Sequence, residues 1–328
     1  MFIYPILVLS NQKMIKRKVI QIGKFTQVVS LPRKWTQKNN IKKGDELVIE
    51  ENNEKLEIST TQIKKEPLKA EVDLRGIDKE IVWPILAFMH KKGYDEIKIK
   101  FQNSETLNLI QKKIASTLIE FEIIEQTKDS CTIKTITTGN EAELDEIIRK
   151  IFSVTLSLAK NSLEYIKTDN LENMEELYSL EETNNKLTNL CERILNTTPI
   201  DLKNRYLYHI IWLLESVADD YRDLCKSITN KNIKLKNETI RTYQKVNDLL
   251  EEYSTLYYTF SFKNIAKFIK NQKILTKEIP NSMTGNKEED KIIAALLTIT
   301  KRMGNFTGAT FAIKAQLDAV VKTDNQLL

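Results

Sequence analysis

The sequence of 328 residues has few residues that break regular structure and few that carry catalytic or redox chemistry. It contains only 8 Gly and 6 Pro, which predicts long regular elements, mostly helices. The three cysteines lie far apart and form no Cys-x-x-Cys pair, so neither a disulfide framework nor a zinc site is expected. Only two histidines are present, with no glycine-rich phosphate loop and no nucleophile constellation. The sequence therefore predicts a protein that is not an enzyme.

Long apolar runs are also lacking. The one uninterrupted apolar segment is MFIYPILVLS, residues 1–10, which is far shorter than the roughly 20 residues that span a bilayer. It has neither a basic leading region nor a small-residue cleavage site, so a secretory signal is not expected. Met14 is an alternative start, which would make residues 1–13 an extension. These features predict a cytoplasmic protein.

Acidic residues are missing from one stretch that is crowded with basic ones. Between Asn11 and Gly44 there are ten Lys or Arg and no Asp or Glu. Residues 1–66 carry 13 basic and 7 acidic side chains, a net charge of +6, whereas the whole chain has +5. Such a segment is typical of proteins that bind the phosphate backbone of nucleic acids. The alternative is a solvated basic face without a partner.

The basic stretch also has a strand-rich pattern. Apolar alternation, the Gly23-Lys24 turn and Pro32 predict a strand, a turn, a strand and a short helix, followed by a hairpin. The predicted elements are Val19–Ile22, Thr26–Leu31, Arg33–Lys38, Ile41–Ile49 and Lys55–Ile58, with the last turn at Asn52-Asn53. The residues predicted to contact DNA are Lys16, Arg17, Lys18, Lys24, Arg33 and Lys34.

The same residues carry a resemblance to a known family. V-x-x-I-G-x-F-T-x-V-V-S-L-P-x-x-W followed by I-K-K-G-D-E-L-x-I is similar to the AbrB/SpoVT swapped-hairpin DNA-binding domains. The resemblance implies a domain over residues 14–62 in which two chains interleave their hairpins into one β-barrel. A unit this short buries too little surface alone. Double-stranded DNA and a second copy of the chain are therefore the expected partners.

Residues 68–137 alternate short strands with helices, which predicts a small α/β sandwich. The predicted strands are Ala70–Leu74, Glu96–Phe101, Phe121–Gln126 and Cys131–Ile136, and the predicted helices are Asp78–Lys92 and Ser104–Leu118. Asp78 and Ser104 are the expected N-caps and Gly93 the expected C′ residue. His90 is expected on a helix surface, and His209 at a packed or seam-edge position.

Residues 140–322 show apolar residues at three-four spacing throughout, which predicts six helices. Their predicted spans are Glu141–Lys167, Leu171–Leu195, Leu202–Ile228, Lys236–Tyr258, Phe262–Lys277 and Glu288–Val321. Six helices in two sets of three indicate an internal duplication. The complete chain is thus predicted to be a multidomain α+β protein: a β-barrel head, an α/β sandwich and a six-helix body.

A carboxylate stripe follows the apolar seam of the third of these helices. Glu215, Asp219 and Asp223 recur at i, i+4 and i+8, so they share one side of the helix and lie within reach of a shared cation. The words 214–219, LESVAD, and 300–305, TKRMGN, together resemble the recurring L-E-R-I-G-D word of the PhoU phosphate-uptake regulators. That family implies a divalent or trivalent metal ion bound at the stripe. Lys301 and Asn305, at the equivalent positions of the second word, depart from the family pattern. For the stripe itself, the alternative to a metal site is an acidic helix face exposed to solvent.

The order of the parts resembles archaeal PhoU-type phosphate uptake regulators. The resemblance implies a dimeric DNA-binding transcriptional regulator of phosphate uptake, whose helical body senses an effector or a partner. The alternative is an adaptor that does not bind DNA and docks on a phosphate transporter or a sensor kinase.

Overall fold

The computed structural model describes residues 15–52, 55–60, 67–136, 139, 141–198, 202–231 and 233–315. The chain divides into two compact units, Met1–Glu66 and Pro67–Leu328. The predicted domains 68–137 and 140–322 thus lie in one unit, although each builds a hydrophobic cluster of its own. The division of the chain into three domains stays a prediction.

The first unit consists of two hairpins and one short helix. Its elements are β1 (Val19–Ile22), β2 (Thr26–Val29), α1 (Arg33–Lys38), β3 (Leu47–Asn52) and β4 (Lys55–Thr60). β1 pairs with β2 and β3 pairs with β4, both antiparallel, and the hairpins form separate two-stranded sheets. The order of elements predicted from the sequence is confirmed, and a swapped barrel, which requires a second chain, stays a prediction.

Turn chemistry sets the limits of these strands. Gly23 has φ +70° in the first turn, a conformation that glycine adopts without steric cost. The third strand begins at Leu47 and not at Ile41 as predicted, because Gly44 has φ +98° and Asp45 Oδ2 accepts a hydrogen bond from Lys42 N at 2.7 Å. Of the predicted Asn52-Asn53 turn, Asn52 is the last residue of β3 and residue 53 lies outside the described residues.

Among its described residues, the first unit has no hydrophobic core within one copy of the chain. None of its residues whose side chains the structure describes is buried. Ten large apolar side chains are exposed: Ile15, Val19, Ile20, Ile22, Phe25, Val29, Val48, Ile49, Leu56 and Ile58. Two small sheets with apolar residues in water are not independently stable.

The second unit begins with a two-layer α/β part. Its elements are β5 (Lys69–Asp73), α2 (Lys79–Lys91), β6 (Glu96–Lys100), α3 (Ser104–Thr117), β7 (Phe121–Gln126) and β8 (Ser130–Thr135). The sheet order is β5-β6-β8-β7, with only the first pair parallel. Ile97, Ile99 and Ile133 are buried, whereas Lys98 and Lys134 on the opposite face are exposed. The predicted α/β sandwich is confirmed, with its helices on one face of the sheet.

Two of the three predicted helix-end residues are confirmed. Asp78 Oδ1 accepts a hydrogen bond from Glu80 N at 3.0 Å and caps α2. Gly93 follows α2 with φ +88°. The prediction of Ser104 as a cap is wrong by one residue, because Asn103 Oδ1 accepts from Thr106 N at 2.9 Å and caps α3.

Six long helices complete the second unit. They are α4 (Leu144–Lys167), α5 (Tyr178–Thr197), α6 (Leu202–Lys231), α7 (Asn237–Tyr258), α8 (Phe262–Glu278) and α9 (Lys287–Lys314). A 3-10 segment, Leu171–Leu177, occupies the start of the second predicted helix. α4, α5 and α6 pack together, as do α7, α8 and α9, and the sets meet through α4 with α7 and α6 with α9. The predicted end of the last helix, from 316 to 321, lies outside the described residues.

Hydrogen bonds between buried side chains fix the helices of the body against each other. Tyr221 Oη donates to Asn247 Oδ1 at 2.8 Å, between α6 and α7. Tyr243 Oη lies 2.7 Å from Ser162 Oγ of α4. Buried polar groups need such partners, since an unpaired one costs free energy. Within the described part of the chain, no helix is both long and apolar enough for a membrane span.

Candidate nucleic-acid interface and carboxylate cluster

The six residues predicted to contact DNA are all exposed, and the fold divides them into two places. Lys16, Arg17 and Lys18 directly precede β1, while Arg33 and Lys34 open α1 just after β2. Since Val19 pairs with Val29, these five positions lie at the same end of the hairpin. They are called the open-end basic group below.

Lys24 lies in the turn at the other end of the hairpin. Its Nζ is 5.9 Å from the ring centroid of Phe25, and that ring is 89% exposed. The sequence grouped Lys24 with the other five, but the pairing of β1 with β2 separates it from them by the length of the hairpin.

No acidic partner neutralises these cations within the described part of the first unit. None of the six takes part in an ion pair there, in contrast to many basic residues of the second unit. Uncompensated charges of one sign raise the local concentration of oppositely charged ligands. The open-end basic group has the electrostatics that a DNA phosphate backbone requires.

The predicted metal site has a different occupant. Arg222 reaches Asp219 Oδ1 with Nη1 at 2.7 Å and Asp223 Oδ1 with Nε at 2.9 Å. Its Nη1 also lies 2.5 Å from Glu181 Oε1 of α5. The guanidinium therefore holds the position that the sequence assigned to a metal ion. Among the residues that the structure describes, no group of three or more His, Cys, Asp or Glu is placed to bind a metal.

Glu215, the first member of the predicted stripe, faces another cation. Lys91 of α2 places its Nζ 3.8 Å from Glu215 Oε2 and 2.7 Å from Glu192 Oε2. Burial raises the pKa of Glu215 to about 7, and the negative charges of Glu192 and Asp219 add to this while Lys91 opposes it. The stripe is thus split: Lys91 neutralises its first carboxylate and Arg222 the other two.

In α9 the corresponding positions carry no carboxylate. Lys301 and Asn305 are both exposed, while Thr300 and Met303 are fully buried, as Leu214 and Val217 are in α6. The ion pair nearest to these positions joins Arg302 Nε to Asp220 Oδ2 of α6 at 2.5 Å.

Sequence reasoning missed Arg193, a buried side chain with more hydrogen-bond acceptors than any other in the described part of the second unit. Arg193 of α5 is 4% exposed and uses its guanidinium to hold the α/β part. Its acceptors are Asp95 Oδ1 (2.9 Å), Glu120 Oε2 (3.1 Å), Thr135 Oγ1 (3.0 Å) and the carbonyl oxygens of His90 (2.9 Å) and Tyr94 (2.8 Å). A buried arginine with this many acceptors fixes both the position and the orientation of α5.

Two further side chains on the same face of α5 extend this junction. Asn196 Nδ2 donates to Lys91 O at 2.8 Å, and Asn189 Nδ2 donates to Thr117 O at 3.4 Å. These carbonyls lie at the ends of α2 and α3, where helical backbone acceptors have no partner of their own. α5 therefore caps two helices of the α/β part. The only sequence signal was three polar residues at i, i+4 and i+7, which a surface helix shows as well.

Neither histidine behaves as the sequence predicted. His90 is buried and not on a surface: its Nε2 donates to Ile119 O at 2.9 Å and its ring meets Phe121 edge-on. Burial lowers its pKa to about 4, so it stays neutral at physiological pH. His209 is exposed and stacks on Trp212, with ring centroids 6.4 Å apart.

Comparison with known proteins bears on the first unit. The family model described as "Antidote-toxin recognition MazE, bacterial antitoxin" matches residues 20–69, which include α1 and both hairpins except Val19. No curated protein and no solved structure matches the chain. The match supports an N-terminal DNA-binding domain of the AbrB-like type. It does not extend to the helical body.

Proposed function

We propose that this protein is a DNA-binding regulator whose first unit binds duplex DNA through the open-end basic group. The observation that carries the proposal is the exposure of five cations at one end of a hairpin with no ion-pair partner among the described residues. The match of residues 20–69 to a MazE model supports the same role. Contacts of this kind supply affinity and register, whereas contacts to base edges supply sequence specificity.

The form that binds DNA is a homodimer joined through the first unit. The absence of buried side chains among its described residues, and its ten exposed apolar ones, support this. A second copy would cover those side chains, and burial of apolar surface is the main favourable term in association.

The body is proposed to act by binding and not by catalysis, and the finer proposal is that the regulated genes serve phosphate uptake. Support for the role in phosphate uptake is the resemblance of residues 214–219 and 300–305 to the PhoU word, together with the packing of six helices in two sets of three.

Metal binding at Glu215, Asp219 and Asp223 stays a proposal that requires Arg222 to be displaced. Arg222→Gln should then raise the affinity for a divalent ion about tenfold, measured by calorimetry. Unchanged or weaker binding would return the stripe to an internal ion-pair network.

The DNA experiment is a gel-shift series on the DNA upstream of the gene at rising salt. Arg17, Lys18, Arg33 and Lys34 are replaced singly by Ala, and each lost phosphate contact should flatten the log–log salt slope by roughly one unit. Lys128→Ala, an exposed lysine of the second unit, is the matched control and should leave the slope unchanged. Lys24→Ala reports whether the other end of the hairpin also touches DNA. An unaltered slope in all four open-end variants would remove the proposed interface.

A second candidate function follows from the description of the matched model, which names an antidote that recognises a toxin. The chain would then neutralise a toxic protein encoded beside its own gene. Expression of the neighbouring gene alone should arrest growth, and co-expression of this chain should restore it. Growth arrest without rescue, or no arrest, leaves the regulator as the function.

A further inference from the structure

The outward face of α8 carries a row of lysines that no other described helix of the second unit has. Its members recur every three or four residues and all are exposed: Lys263, Lys267, Lys270, Lys273 and Lys277. At 1.5 Å of rise per residue the row is about 21 Å long. It is called the α8 lysine row below.

The α8 lysine row is nearly free of counter-ions. Within the part of the chain that the structure describes, only Lys267 has an ion pair, with Glu252 Oε1 at 3.6 Å. Glu278, the one acidic residue of α8, pairs with Lys245 of α7 at 2.9 Å. The whole chain has a net charge of +5 and residues 1–66 have +6, so residues 67–328 have a net charge of only −1. The row is therefore a local excess of positive charge on an otherwise balanced unit.

Apolar side chains accompany the lysines. Ile274 is 44% exposed, and with Ala266 and Ile269 it lines a shallow surface depression whose other walls are Lys270, Lys273 and Lys277. Phe262, 43% exposed, begins the helix. α5, the middle helix of the other three-helix set, instead turns Arg193 and Asn196 onto the α/β part. No described element covers the lysine face of α8 in this way.

The combination of lysines with exposed apolar side chains distinguishes between two anionic partners, a nucleic acid and a lipid surface. A nucleic-acid backbone offers phosphates and gives an exposed isoleucine nothing to bury against, and arginine is the residue that recognises phosphate with directed hydrogen bonds. The α8 lysine row has no arginine. A lipid surface offers both a diffuse negative field for lysine and an apolar boundary layer for short apolar side chains.

We propose that the outward face of α8 is a docking surface for a membrane leaflet rich in anionic lipids. The lysines contact the headgroups, and Ile274 enters the boundary between headgroups and acyl chains. The helix lies flat on the surface, because its opposite face is packed in the body through Ile265, Phe268 and Leu275. This proposal does not depend on DNA binding by the first unit.

Vesicle co-sedimentation of the full chain tests the docking surface. Wild type should bind phosphatidylcholine vesicles that contain phosphatidylglycerol and should not bind phosphatidylcholine alone. Each lysine near an anionic surface contributes roughly fivefold in affinity. The variant K263Q/K270Q/K273Q/K277Q should therefore bind more than about 100-fold more weakly. The control K112Q/K128Q/K160Q/K301Q removes the same charge from scattered exposed positions and should keep most of the binding.

Substitution of one apolar residue, Ile274, distinguishes lipid binding from nucleic-acid binding. Ile274→Asn should weaken vesicle binding about fivefold and leave binding to duplex DNA unchanged. The proposal is overturned if wild type does not bind the anionic vesicles, or if the α8 variant and the control lose the same affinity. It is also overturned if the α8 variant loses DNA binding and keeps vesicle binding, since the row would then be a nucleic-acid surface.

Discussion

The first unit and the helical body place their apolar side chains in opposite environments. Among the described residues, the first unit exposes ten large apolar side chains and buries none, whereas the body buries side chains as large as Tyr221, Tyr253 and Phe306 completely. Both segments show clear apolar periodicity in the sequence. The difference teaches that a periodic pattern fixes the type of an element and not whether its apolar face is covered within one chain.

Deletion of residues 1–66 should have the largest effect on this contrast. The remaining chain should stay folded, since its hydrophobic clusters lie wholly within it, and should lose dimerisation completely. Light scattering and circular dichroism measure both properties. The isolated segment 1–66 should be unfolded when dilute and gain β-structure with concentration. A deletion variant that remains dimeric would place the dimer interface in the second unit.

The junction made by Arg193 should be the most costly single position in the second unit. Arg193→Ala leaves Glu120 and Asp95 without their cation, and breaking a buried pair of this kind costs about 3–5 kcal/mol. Urea denaturation measures the loss in free energy of unfolding. Arg205→Ala, an exposed arginine of α6, should change it by less than about 0.5 kcal/mol. Equal effects of the two substitutions would contradict the junction.

A matched pair of isoleucines tests the two environments directly. Ile20 of the first unit and Ile81 of α2 are 53% and 48% exposed in the single chain. Ile20→Asp should raise the dimer dissociation constant at least about 100-fold, because it places a charge where a second copy packs. Ile81→Asp should leave dimerisation unchanged, as analytical ultracentrifugation will show. Similar results for both variants would mean that the exposed face of β1 is not an interface.

Glu215 gives the smallest effect and a defined pH dependence. Its pKa is about 7 in the folded chain against an ordinary value of 4.5, so folding favours its protonated form. The stability that this contributes is complete below pH 4.5 and is lost as the pH rises through about 7. Glu215→Gln should therefore be more stable than wild type at pH 8 by up to about 3 kcal/mol, with the difference vanishing at low pH. Parallel stability profiles would show that folding does not raise the pKa of Glu215.

Helix positions were largely predictable from the sequence. The three-four spacing of apolar residues arises from the geometry of a single helix and does not depend on which element the helix packs against. The helix predicted at Leu202–Ile228 is observed at Leu202–Lys231, and Lys236–Tyr258 at Asn237–Tyr258. The faces of α2 were not predictable. Its sequence is apolar nearly all round, so nothing local indicated that His90 would be covered.

The place of the carboxylate stripe was predictable from the sequence, whereas its pairing with Arg222 was not recognised. The carboxylate stripe lies on one side of α6, yet Arg222, three residues beyond Asp219, pairs with it as i, i+3 residues often do. That signal was present in the sequence. Arg193 gave no comparable signal, since its acceptors lie between 58 and 103 residues away along the chain and meet it only after the layers have packed.

The absence of a core among the described residues of the first unit has a consequence for gene dosage. If the DNA-binding shape exists only in the assembled pair, its amount varies with the square of the chain concentration when the protein is scarce. Operator occupancy would then rise steeply over a narrow range of expression. A regulator built in this way responds to a twofold change in its own synthesis with up to about a fourfold change in the active species.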